Sequence, residues 1–78
     1  MTLLQSILEL TQAGYTIEFR CVPNGTSIRL SSYGKNPKDI KHTQHIIDDD
    51  ILLTSKISKE DILLLTIDYL YQSHLWGY

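Results

Sequence analysis

The stretch Tyr15-Thr16-Ile17-Glu18-Phe19-Arg20-Cys21-Val22-Pro23-Asn24-Gly25-Thr26-Ser27-Ile28-Arg29-Leu30 decides the fold. Tyr15, Ile17, Phe19 and Cys21 alternate with Thr16, Glu18 and Arg20, the period of a strand with one apolar face. Asn24-Gly25 is a strong hairpin signal because both residues accept positive φ, and Ile28 and Leu30 resume the alternation beyond it. A two-residue turn there predicts Cys21 opposite Ile28, Phe19 opposite Leu30 and Ile17 opposite Ser32, so the apolar sides of both strands coincide. The same register sets Arg20 against Arg29, a like-charge pair that costs stability unless Glu18 or an anion relieves it. With Lys41 nearby, Arg20 and Arg29 are candidate phosphate contacts for a small nucleic-acid-binding module on the open sheet face.

Working outward, Thr2 and Gln5 have capping-box spacing, and Leu3, Leu4, Ile7, Leu8 and Thr11 follow at helical intervals. Gly14 stops this first helix, which spans Thr2 to Ala13. Beyond the hairpin, Tyr33-Gly34-Lys35-Asn36-Pro37 is turn chemistry, and Ile40 to Ile47 returns as a third, more polar strand. Asp48-Asp49-Asp50 ends the sheet, and Ile51-Leu52-Leu53 is either a short helical turn or a packed loop. Ser58 caps a last helix from about Lys59 to about Trp76, with Glu60 and Asp61 in the first turn where the helix dipole favours negative charge. The expectation is one α+β domain over residues 1–78, ordered α-β-β-β-α, with both helices on the apolar face of a three-stranded antiparallel sheet.

The last helix holds more apolar surface than so small a sheet can cover. Leu63, Ile67 and Leu70 make one stripe, and Ile62, Leu65 or Thr66, and Tyr69 make its neighbour. Leu64, Tyr71 and Leu75 fall on the side of Asp61 and Asp68, where solvent is expected. This surplus, with Trp76 beside it, points to a protein-binding surface or a homodimer seam, unless residues 51–53 fold over it. Aromatics with a polar tip are enriched at such contacts.

Composition bounds the function. The chain has 78 residues, 42% hydrophobic and 21% charged, in the ordinary globular range. Its net charge of −2 is uneven: residues 1–45 carry five cations against three carboxylates, and residues 46–78 carry two against six. Asp48, Asp49, Asp50, Glu60 and Asp61 could form an acidic surface that imitates phosphate charge for a nucleic-acid-binding partner. No basic leader precedes the first apolar residues and no apolar run is long enough for a span, so a soluble cytoplasmic protein is expected. The lone Cys21 fits an intracellular chain and reads as an inward-facing small hydrophobe. His42 and His45, three apart in a strand, face opposite ways, so no metal site is expected there. Neither a phosphate-binding glycine loop nor a nucleophile motif is present; the reading is of a non-enzymatic protein that needs no cofactor.

The α-β-β-β-α order is shared with double-stranded RNA-binding domains, which would place basic residues at the start of the second helix. Here that region reads Ser58-Lys59-Glu60-Asp61 and is preceded by Asp48-Asp49-Asp50. A short leading helix, the phrase Ala13-Gly14-Tyr15-Thr16-Ile17-Glu18-Phe19, a compact antiparallel sheet and acidic helical elements together resemble the small phage-encoded type II anti-CRISPR proteins. That resemblance implies a protein partner, a CRISPR-associated nuclease in the host cytoplasm, whose nucleic-acid-binding surface would be occluded by an acidic face.

Overall fold

A computed structural model describes residues 2–33 and 40–76 of the chain. Six elements follow in order: α1 (Leu3–Gln12), β1 (Tyr15–Val22), β2 (Gly25–Tyr33), β3 (Ile40–Asp48), α2 (Asp49–Thr54) and α3 (Lys59–Trp76). The sheet is antiparallel with β2 in the middle. The architecture is thus the expected α+β one, with residues 49–54 resolved as a short helix. The turn expected at Gly34 to Pro37 lies outside the described residues.

Local chemistry explains the boundaries. The Gln5 amide donates to Thr2 Oγ1 at 3.2 Å and the Thr2 amide to Gln5 Oε1 at 2.9 Å, closing the capping box. Gly14, at φ +95°, takes the left-handed turn that ends α1 and delivers the chain to β1. Ser58 Oγ accepts from the Asp61 amide at 3.2 Å and opens α3.

The hairpin register differs from the sequence expectation by two residues. Val22 pairs with Gly25, so Pro23 and Asn24 are the central turn residues. Proline, fixed near φ −65°, suits the second position of a common turn and cannot enter the left-handed one. Gly25 is needed in the strand instead: a Cβ there would strike the Ile47 carbonyl, with the carbonyl carbon only 2.9 Å away. Ile17 therefore faces Leu30, Phe19 faces Ile28 and Cys21 faces Thr26. Arg29 faces Glu18, and Arg20 faces Ser27, so the expected arginine pair does not form.

All helices lie on the face built from Ile17, Ile28, Leu30 and Ile47. Ile28, Leu30, Ile47, Leu63, Ile67 and Leu70 form the buried core, with Leu3, Ile7, Leu10, Tyr15, Leu52, Ile62 and Tyr71 packed around it. Each fully buried aliphatic side chain contributes roughly 1.5–3 kcal/mol. Phe19 shares that face yet is 43% exposed, and Cys21 is exposed rather than inward and buried. The reason is geometric. Ten helical residues reach about 15 Å, whereas the eight residues of β1 extend about 26 Å, so α1 cannot cover the whole edge strand.

Candidate functional site

The surface of α3 is where the sequence left most to decide. Leu63, Ile67 and Leu70 are buried on the sheet as expected. Tyr71 does not face solvent: its ring meets Tyr15 edge-on at 5.4 Å and packs against the core. Leu64 is half-buried, in a groove of about 420 Å³ where Ser6, Glu9 and Leu10 of α1 face Leu64, Ile67, Asp68 and Tyr71 of α3. Of the expected free stripe, only Leu75 is largely exposed. The covering element is α1, not α2. Leu52 reaches the core, while Leu53 is 82% exposed.

The apolar surface that stays open belongs to the neighbouring stripe. Leu65 is 59% exposed and Tyr69 63%. On their far side a shallow hollow of about 350 Å³ is lined by His45, Ile62, Leu65, Thr66 and Tyr69, and the Tyr69 ring meets His45 edge-on at 6.5 Å. Leu65 borders both the hollow and the α1–α3 groove, so one apolar ridge separates two concavities. Glu9 and Asp68 supply carboxylates in the groove. Leu65 and Tyr69 belonged, on helical spacing, with the residues covering the sheet; only the rotation of α3 over β2 and β3 separates them from Leu63 and Ile67. The side chain of Trp76 lies outside what the structure describes.

Asp48, Asp49, Asp50, Glu60 and Asp61 are all exposed. Asp49 and Asp50 occupy the first turn of α2, and Glu60 and Asp61 that of α3. Among the described residues no group of three His, Cys, Asp or Glu side chains is arranged to hold a metal ion.

The basic candidates are divided. Lys41 faces Ser32, which faces Tyr15, so the pleat assigns it to the helix-bearing face, whereas Arg20 and Arg29 belong to the opposite one. The open face instead carries a polar hollow of about 140 Å³ lined by Glu18, Arg20, Val22, Ser27, Arg29 and Gln44. Gln44 Nε2 donates to Ser27 Oγ at 2.8 Å, and Arg29 Nε is buried without an acceptor. His42 and His45 take opposite faces of β3.

At the other end of the sheet His74 is buried. Its Nε2 shares a hydrogen bond of 2.6 Å with Ser32 Oγ, and its ring meets Tyr15 edge-on at 5.5 Å. Burial holds its imidazole below the usual range, and the nearby charges of Lys41 and His42 push the same way. Burial also raises the Tyr15 phenol, with Tyr71 adding to the effect. Ser32 Oγ and the Tyr15 ring thus hold the buried imidazole at this end of the sheet.

No family model matches the chain, and neither curated proteins nor solved structures give a match. Among the described residues no helix is long and apolar enough to cross a membrane.

Proposed function

We propose that this protein is a non-enzymatic protein-binding module that docks its partner on the helical face, acting as an inhibitor or accessory protein of the phage type. The observation that carries the reading is the Leu65–Tyr69 ridge, open to solvent between two apolar concavities in a chain too small to leave such surface bare without cost. Glu9 and Asp68 in the groove suit a partner segment that sets lysine or arginine beside apolar anchors. The exposed carboxylates of residues 48–50, 60 and 61 would steer a basic, nucleic-acid-binding partner by long-range attraction. An anti-CRISPR that blocks nucleic-acid access to its nuclease is the specific form of this proposal.

The test is a DNA-cleavage assay with purified type II CRISPR nucleases, with and without the protein. Inhibition is expected, and Leu65→Asp should abolish it while leaving the fold intact, because that side chain faces solvent. Reversing Asp48 to Asp50 to lysine should slow association and weaken its salt dependence. Cleavage unaffected by the wild-type protein across the nucleases rejects the anti-CRISPR form. Inhibition that Leu65→Asp leaves intact rejects the helical face as the docking surface.

A further inference from the structure

The outer edge of β1 lies apart from the Leu65–Tyr69 ridge and carries a row of open backbone groups. The Asp49 amide donates to the Asn24 carbonyl at 2.9 Å, just beyond the Gly25–Asp48 pair. In an antiparallel ladder hydrogen-bonded pairs alternate with non-bonded ones, so the β2–β3 bonds fall at Thr26, Ile28, Leu30 and Ser32. Gly25, Ser27, Arg29 and Ser31 are then bonded to β1, through Val22, Arg20, Glu18 and Thr16. It follows that the amides and carbonyls of Tyr15, Ile17, Phe19 and Cys21 point outward from the sheet. Among the described residues none of them takes part in a backbone bond to a turn, loop or cap.

An open edge with an exposed phenylalanine is a template for another strand. We propose that the strand is β1 of a second copy of this chain, running antiparallel about a two-fold axis at Phe19. Only outward-facing residues can exchange bonds across the seam, which restricts the register to steps of two. With Phe19 opposite Phe19 of the partner subunit, Glu18 stands opposite Arg20 on both sides of the axis, and Ile17 stands opposite Cys21. Shifting one step either way centres the axis on Glu18 or on Arg20, putting like charges face to face. Charge complementarity therefore selects a single register. In it about six backbone hydrogen bonds form, the two Phe19 rings cover one another, and the two three-stranded sheets become one.

Sedimentation velocity over a concentration series tests this. The wild-type chain should associate to a dimer. Arg20→Glu should weaken the dimer about tenfold or more, since two attractive pairs become repulsive. Glu18→Arg should do the same, although it also faces Arg29 within its own sheet. A mixture of the two single variants should recover a mixed dimer, because each supplies the charges the other lacks, and the double exchange should restore self-association. Leu65→Asp should leave the dimer unchanged. A wild-type monomer throughout the series overturns the proposal, as does a dimer indifferent to Arg20→Glu or a mixture of single variants that fails to associate.

Discussion

The two ends of β1 are written in the same alternating pattern and meet opposite fates. At one end Tyr15 packs under Tyr71 and His74, and Ile17 lies against the core beside buried Leu30. At the other, Phe19 and Cys21 stand on the same face beside fully buried Ile28, yet both are exposed. On an edge strand, burial is decided by how far the covering helix reaches, not by how apolar the side chain is. The covered end gives stability; the uncovered end is available for association.

Three measurements bear on that contrast. The largest effect should come from Leu30→Ala at the covered end, which removes a side chain only 1% exposed and should lower the unfolding free energy by about 2–5 kcal/mol in urea titrations. A loss well under 1 kcal/mol would mean that this end is not the core. Acidification should have a smaller effect. The folded state holds the His74 imidazole below its usual range, so stability is complete where the imidazole is neutral in both states. Once the pH falls below the ordinary histidine value the unfolded chain binds a proton that the folded chain resists, and stability declines. The urea midpoint should drop between neutral pH and about pH 5, and His74→Gln should flatten the decline by the share that His74 contributes. The smallest effect should come from Phe19→Thr, which keeps a good strand former at a half-open site and should change monomer stability by less than about 1 kcal/mol. A loss as large as that of Leu30→Ala would abolish the distinction between the two ends.

Much of the fold was legible because its signals are local. Thr2 with Gln5, Gly14, and Ser58 with Asp61 mark helix ends through bonds between residues at most three apart, or through a backbone angle that glycine alone adopts easily. The candidate site was legible only in kind. That α3 carries surplus apolar surface follows from its composition; which stripe stays open does not, because Leu64 with Tyr71 and Leu65 with Tyr69 are equally apolar pairs on one helix. The recess of half-buried Leu64 in the groove beside α1, and the packing of Tyr71 against Tyr15, settle it in favour of Leu65 and Tyr69. The basic set failed for a related reason. Arg20 and Arg29 share a face by strand parity, but Lys41 lies on a separate strand whose register is set by pairing across β2.

By itself the sequence determined the strands and the first and last helices, the ends of those two helices, and the alternation of faces along β1 and β2, all of which rest on period and local bonding; it left α2 and the face of Lys41 open. Tertiary structure decided the hairpin register. Side-chain alternation has a period of two, so sliding the turn from Asn24-Gly25 to Pro23-Asn24 moves every cross-strand partner by two residues and leaves both faces unchanged. No pattern along one strand distinguishes the two registers. The third strand does, because the Ile47 carbonyl comes so close to Gly25 that only a residue without a Cβ fits there. With Pro23 in the turn and Gly25 held in the strand beside Ile47, Glu18 rather than Arg20 stands opposite Arg29.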